Sequence, residues 1–204
     1  MKMFRAVPKQ GFDQNKVYVA QNTRRMPSNI PYLVDNIWEW LRPEEFPSRR
    51  FAAYASPTFE LALENASAVG NNPKLYTVCE VAFNTHNIKI AHISVKDARE
   101  HKEISEIMRH VASRMGKHFS NMNIQEKAQH AALYMPSVSK EELNLYFTSS
   151  PSAEQLAEEL SDMSTFWKEA SLIPRGHDGE LFFEVSGDVS YTLIPIEIKS
   201  IINE

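Results

Sequence analysis

Cysteine and glycine are scarce in this chain, and each shortage excludes a class of site. Among the 204 residues the one cysteine is Cys79, so neither an intrachain disulfide nor a cysteine-rich metal site can form. The six glycines leave little room for a glycine-rich phosphate loop, and the sequence has no P-loop, Rossmann fingerprint, nucleophile elbow or CxxC pair. Nucleotide-binding folds that depend on those motifs are therefore disfavoured.

Long apolar runs and an excess of basic charge are also missing. No stretch approaches the ~20 apolar residues of a membrane span, and the first residues, MKMFRAVPKQ, lack the apolar core of a secretory signal. The formal net charge of −4 disfavours binding along a nucleic-acid backbone as the main role. Because 43% of the residues are hydrophobic, we expect a folded protein, cytoplasmic and not bound to a membrane.

Strands at both ends of the chain with helices between them predict an α+β fold in a single domain, residues 1–204. Alternating or β-branched segments predict strands at residues 3–7, 17–20, 51–55, 75–83, 88–93, 179–185 and 189–201. Apolar residues at helical spacing predict helices at residues 31–41, 58–69, 95–116, 125–134, 141–147 and 153–167. The last four helices form an insertion at about 95–170, which we interpret as a lid or a target-recognition lobe.

The stretch EFPSRRFAAYASPTFELALENA, residues 45–66, is the strongest candidate for a binding element. A basic loop with Arg49 and Arg50 precedes a short strand, and the strand runs through Ser56 and Thr58 into a helix. Because the first turn of a helix has free N–H donors and a positive dipole end, this turn is suited to an anionic ligand. The structural alternative is that Ser56 is an N-cap and Pro57 the first helical residue, which explains both residues without a ligand.

A cation and a carboxylate stand at the edges of two other predicted strands. Arg5 lies on the first strand, and Glu180 opens a late strand after Asp178 and Gly179. We predict that Arg5, Ser56 and Glu180 converge on one cleft. Glu184 replaces Glu180 as the candidate acid if the strand register differs, because it lies on the same face of that strand.

Metal ligation is not expected. Glu103, Glu106 and His110 share one face of a predicted helix, but the opposite face is apolar, so we interpret them as the solvated face of an amphipathic helix. Among the seven histidines, His177 is the one close in sequence to the candidate site.

These residues resemble the ADP-ribosyltransferase-like superfamily. The shared pattern is an arginine on the first strand, an apolar strand that runs into a serine-containing turn, and a glutamate that opens a late strand. The segment YASPTFELALENA is similar to RES-type NAD-degrading toxins, and RPEEFPSRR, YASPT, Trp167 and GELFFEVSGDV together resemble a related bacterial branch. The likeness covers about residues 3–83 and 166–196. The double-glutamate turn of arginine-directed transferases is missing, which argues against arginine as the acceptor.

The resemblance implies a mixed split β-sheet core with a helical insertion, and an enzyme that uses NAD as its substrate. It implies an ADP-ribosyltransferase or an NAD glycohydrolase, acting as a toxin, an effector or a phage factor. The acceptor of the ADP-ribose stays open among protein, nucleic acid, a small molecule and water. The alternative function is a catalytically inactive protein of the same fold that uses the helical insertion as an interaction surface.

The resemblance also implies roles for individual residues. Glu180 would stabilise the positive charge that develops on the ribose, and Arg5 would pair with the pyrophosphate. Ser56 would hold Glu180 or the nicotinamide ribose in place, and Tyr54 would stack on the nicotinamide. Thr58 belongs to the same cofactor-binding turn, and Arg49 or Arg50 would add a second phosphate contact.

Overall fold

Two antiparallel sheets and a layer of helices make up the computed structural model, which describes residues 2–19, 30–67, 72–173 and 178–196. The strands are β1 (Phe4–Pro8), β2 (Tyr18–Val19), β3 (Ala52–Ala55), β4 (Tyr76–Phe83), β5 (Ile90–Ile93), β6 (Glu180–Glu184) and β7 (Ser190–Pro195). The predicted α+β class is confirmed. Every strand pair within the described ranges is antiparallel, so the structure does not show the mixed sheet that we expected.

The strand order separates elements that are neighbours in sequence. One sheet has the order β1-β4-β7-β2 and the other has the order β3-β6-β5. The last two predicted strands, which the sequence allows to form either a hairpin or two sequential strands, are not a hairpin, because β6 and β7 lie in different sheets and the turn at 186–188 connects the sheets. The first and last strands of the described ranges, β1 and β7, lie in the same sheet and both pair with β4. Residues 197–201 of the last predicted strand lie outside the described ranges.

The helices are α1 (Tyr32–Leu41), α2 (Phe59–Ser67), α3 (Glu103–His118), α4 (Ile124–Ala131), α5 (Lys140–Phe147), α6 (Pro151–Met163) and α7 (Phe166–Glu169). The predicted helix over 95–116 begins only at Glu103, and a short 3-10 turn, Ala98–Glu100, precedes it. The predicted helix over 153–167 is two helices, α6 and α7. The end of the helix predicted over 58–69 lies outside the described ranges. No helix in the described ranges is long and apolar enough to cross a membrane.

Strand β6 is buried on both faces and joins the two hydrophobic cores. Phe182 packs into the core shared with α1 and the helices that follow β5, whereas Leu181 and Phe183 pack into the core between the sheets. A strand covered on both faces needs consecutive apolar residues, and this explains the run Leu181, Phe182, Phe183. The central position of β6 fixes Glu180, at its first residue, relative to both sheets.

Glu103 explains why the helix predicted over 153–167 breaks. Its side chain is fully buried, and its carboxylate accepts bonds from Ser164 Oγ at 2.6 Å, Thr165 N at 2.7 Å and Phe166 N at 2.6 Å. Thr165 Oγ1 at 3.3 Å and Trp38 Nε1 at 3.0 Å also donate to it. The carboxylate thus binds the free N–H groups at the start of α7. Glu103 belongs to the core, so its assignment to a solvated helix face is wrong.

Candidate active site at the junction of the two sheets

A cleft of about 380 Å³ lies where β1 of one sheet meets β3 of the other. Four of the residues predicted for the site line this cleft: Arg5, Tyr54, Ser56 and Glu180. Helix α2 and the turn before α3 complete the lining with Glu64, Asn65, Lys96, Asp97, Arg99 and Glu100. Residues that are up to 175 positions apart in sequence therefore share one concave surface.

Backbone pairing explains why these residues meet. Phe4 and Ser56 exchange two backbone hydrogen bonds, of 2.9 and 2.8 Å, which join β1 to the end of β3. The ladder between β3 and β6 ends with the pair Ala55 and Leu181, so Ser56 and Glu180 occupy the next position along it. Ser56 is thus placed between the first strand and the head of β6.

Glu180, whose side chain is 16% exposed, has few polar partners in the part of the chain that the structure describes. Its Oε2 accepts a bond from Ala98 N at 3.2 Å and lies 3.7 Å from Arg49 Nη1, an ionic contact beyond hydrogen-bond distance. The pKa of Glu180 is raised to about 7, and burial is the largest cause. The charge of Asp97 also acts to raise the pKa, while Arg49 and the Ala98 N–H act to lower it. The carboxyl group is therefore divided between its two protonation states near neutral pH.

The backbone conformation of Gly179, and its lack of a side chain, allow Glu180 to occupy this position. Its φ is +100°, and a Cβ added there would lie 2.1 Å from the Ile93 carbonyl oxygen and 2.7 Å from His92 Nε2. A side chain cannot be accommodated so close to the backbone of β5. The next residue, Glu180, donates its N–H to Val95 O at 3.0 Å, so the head of β6 is held against the segment after β5.

Thr58, not Ser56, caps helix α2. Thr58 Oγ1 accepts a bond from Leu61 N at 3.2 Å, and Thr58 O accepts the first intrahelical bond, from Ala62 N. The interpretation of Ser56 as the N-cap is wrong, because its backbone is paired with Phe4 in extended conformation. Ser56 Oγ instead accepts a bond from Asn65 Nδ2 at 3.2 Å. Asn65 lies on α2, so this helix orients the Ser56 hydroxyl.

Arg5 is anchored by the neighbouring strands. Its Nη1 donates to the Tyr191 hydroxyl at 2.6 Å, and its guanidinium carbon lies 5.8 Å from the centroid of the Tyr191 ring. Tyr191 is itself buried between the sheets. The guanidinium is therefore held in one place and not left to move freely in solvent.

The two adjacent arginines of the basic loop are both buried. Arg50 donates to Asp35 Oδ2 at 2.9 Å, to Asn36 Oδ1 at 2.6 Å and to Val138 O at 2.5 Å, so all three of its nitrogens are bound inside the helical layer. Arg49 is 93% buried behind Glu180. Neither Arg49 nor Arg50 is among the residues that line the cleft.

Glu184 is engaged at the opposite end of β6 from Glu180. Its Oε2 accepts a bond from Ser48 N at 2.9 Å, which ties the strand to the loop before β3. Since Glu180 lines the cleft, the register favours Glu180 over Glu184 as the acid that a ligand would meet.

The turn at 96–100 and the exposed side of α2 are the parts of the site that sequence reasoning missed. We extended α3 back to residue 95, although its apolar spacing begins only at Ile104. Asp97 caps the 3-10 turn, because its side chain accepts a bond from Arg99 N. This capping residue is the feature of the sequence that could have indicated a separate turn before α3. His177 lies outside the described residues.

No protein-family model, no curated protein and no solved structure matches this chain. Function is therefore inferred from the geometry of the cleft and from the pattern of residues that line it.

Proposed function

We propose that this protein cleaves NAD in the cleft at the sheet junction, as an ADP-ribosyltransferase or an NAD glycohydrolase. The observation that carries the proposal is that Arg5, Ser56 and Glu180 line a single cleft. These are the three residues that the family resemblance selects, and they come from three separate strands or strand ends. A volume of about 380 Å³ lies within the usual range of ligand pockets.

The chemistry requires a carboxylate beside the nicotinamide ribose. The bond between C1′ and the nicotinamide nitrogen breaks, and nicotinamide leaves with the bonding electron pair as a neutral molecule. Positive charge then develops on C1′, and the ionised Glu180 carboxylate stabilises it. An oxygen or nitrogen of the acceptor bonds to C1′ and releases its proton to Glu180 or to solvent. With water as the acceptor, the product is ADP-ribose.

Substrate binding uses an arginine and a ring that line the cleft. Arg5, fixed by Tyr191, offers a planar donor group to the pyrophosphate. The Tyr54 ring provides a surface for the nicotinamide. Ser56 Oγ, positioned by Asn65, lies on the wall that carries Glu180 and orients the ribose.

Nicotinamide release from NAD by the purified full-length chain tests the proposal. We expect E180Q to lower the rate by about 100- to 10,000-fold, since the charge that stabilises the transition state is lost. E184Q is the matched control, because it removes a carboxylate from the same strand without changing the cleft. R5A should weaken NAD binding in calorimetry. A wild-type protein that neither binds NAD nor releases nicotinamide would rule the proposal out.

Binding of NAD without nicotinamide release would instead support the non-catalytic alternative. In that case E180Q and wild type should bind NAD with similar affinity, and the cleft would serve as a ligand sensor. Equal release rates in E180Q and E184Q would contradict the assignment of Glu180.

A further inference from the structure

The environment of Arg49 is unusual for a guanidinium. Its Cζ lies 5.4 to 5.8 Å from the centroids of four rings, which we call the aromatic cage: Trp38, Tyr54, Phe166 and Phe182. Nε and Nη1 are buried, and neither has a hydrogen-bond partner among the described residues. The faces of the rings attract the positive charge, but they do not replace the hydrogen bonds that water would provide.

Glu180 is the anion that Arg49 approaches. Oε2 of Glu180 lies 3.7 Å from Arg49 Nη1, and the side chains are 16% and 7% exposed. Asp35, the other acid near Arg49, is paired with Arg50 at 2.9 Å. At such burial the attraction between Arg49 and Glu180 is only weakly screened by solvent.

Glu103 fixes two rings of the aromatic cage through hydrogen bonds. Trp38 donates its Nε1–H to Glu103 Oε1 at 3.0 Å, and Phe166 donates its backbone N–H to Glu103 Oε2 at 2.6 Å. The Trp38 and Phe166 rings stack with their centroids 3.9 Å apart. Two of the four rings are thus fixed by one saturated carboxylate, which keeps Arg49 in place.

We propose that Arg49 is a positioning residue that favours the ionised form of the Glu180 carboxylate and directs it into the cleft. This inference rests on the proposed function, because it assigns Arg49 a role in preparing the acid that acts on NAD. Without the guanidinium, the Glu180 carboxylate would be buried against apolar rings with one backbone N–H as its donor, and it would take up a proton.

The other charges around Glu180 do not replace Arg49. Asp97, at the turn before α3, raises the pKa of Glu180, and the Ala98 N–H carries no full charge. The remaining ionisable side chains on the cleft wall are Arg5, Glu64, Lys96, Arg99 and Glu100. Arg5 is bound to Tyr191, Lys96 is paired with Glu64, and Arg99 is paired with Asp97.

The titration of Glu180 in the full-length protein tests this role. Carbon-13 NMR of labelled glutamate side chains, with E180Q to assign the signal, gives the midpoint directly. We expect R49M to raise the midpoint by about 1 to 3 pH units and R49K to raise it less, since lysine keeps the charge. R50K is the matched control, because it alters the adjacent buried arginine and should leave the midpoint unchanged. An identical midpoint in R49M and wild type would overturn the inference.

A measurement on the wild type decides the question if R49M does not fold. The Arg49 Nε–H resonance should shift with pH at the same midpoint as the Glu180 carboxyl carbon, and a resonance that stays constant through that midpoint would overturn the inference. These titrations need no NAD, so they remain informative if nicotinamide release is not observed. In an active protein, R49M should also move the pH profile of release to higher pH, which a purely structural role would not do.

Discussion

Two glutamates, Glu103, which is fully buried in the helical layer, and Glu180, whose side chain is 16% exposed at the sheet junction, have opposite surroundings. Glu103 is fully buried and accepts five hydrogen bonds, from two side-chain hydroxyls, two backbone N–H groups and an indole. Among the residues that the structure describes, Glu180 has one backbone donor and an arginine at 3.7 Å, and it borders a cleft. A saturated acid stabilises the fold, whereas an acid with unused acceptor capacity is available to a ligand.

The two acids are also connected. Glu103 fixes Trp38 and Phe166, these rings enclose Arg49, and Arg49 contacts Glu180. The packing around Glu103 therefore supports Glu180, the acid to which we assign the chemistry. Functional groups are commonly held in position by a rigid second layer of contacts of this kind.

The largest expected effect is on stability, at Glu103. In E103Q the amide NH₂ would face donors that now bind a carboxylate oxygen, so the free energy of unfolding should fall by on the order of 4 kcal/mol. E180Q should cost about 1 kcal/mol or less at pH 7, because the site disfavours the ionised form of Glu180. Urea denaturation of both variants measures this contrast. Equal losses in the two variants would remove the distinction between the two acids.

Gly179 provides a second contrast, between two glycines at positive φ. G179A forces a Cβ against Ile93 O and should lower the free energy of unfolding by about 3 kcal/mol and also displace Glu180. G187A, at φ +58° with open space around the added Cβ, should cost about 1 kcal/mol. Thermal unfolding compares the two, and a G179A protein as stable as G187A would mean that the approach of β6 to β5 is not tight.

The pKa of Glu180 should make stability and activity change in opposite directions with pH. Its raised pKa, about 7 against an ordinary value of 4.5, means that the stability it contributes is fully present below pH 4.5 and is lost as the pH rises through 7. Nicotinamide release needs the ionised form, so its rate should rise over the same interval. E180Q should remove this pH dependence of unfolding, measured by urea titration from pH 4 to 8, and a slope that persists would assign it to another group.

The smallest expected effects separate Ser56 from Thr58. T58A removes the N-cap of α2 and should cost about 1 kcal/mol of stability, with nicotinamide release little changed. S56A removes one bond from Asn65 and should cost about 1 kcal/mol or less, yet reduce the rate of release. Calorimetric unfolding and release assays on the two variants compare them directly, and a T58A protein that loses more activity than S56A would reverse the roles assigned to the two hydroxyls.

Local pattern in the sequence was enough to predict many elements and four of the residues that line the cleft. The strand ending at Ala55 and the helix ending at Leu41 are observed where the residues indicate them. The convergence of Arg5, Ser56 and Glu180 was also foreseen, because each lies at a strand end. The ends of the strand and the helix depend on residues that are near neighbours in the chain. The convergence of the three site residues depends on their positions at strand ends, which the sheet topology brings together.

Features that depend on tertiary contacts were not predictable in the same way. The polar face of α3 gives no sign that Glu103 is buried, since its donors Ser164, Thr165 and Phe166 lie sixty residues away. Arg49 and Arg50 look equivalent in sequence, yet one enters an aromatic cage and the other binds Asp35. The division of β6 and β7 between two sheets likewise follows from packing and not from the turn between them.

A crystal structure with an NAD analogue whose bond between ribose and nicotinamide cannot be cleaved tests the central claim most directly. We expect the nicotinamide ribose beside Ser56 and the Glu180 carboxylate, the nicotinamide against Tyr54, and the pyrophosphate within hydrogen-bond distance of Arg5. An analogue bound elsewhere on the protein, or no analogue bound at concentrations that saturate NAD-cleaving enzymes, would contradict it.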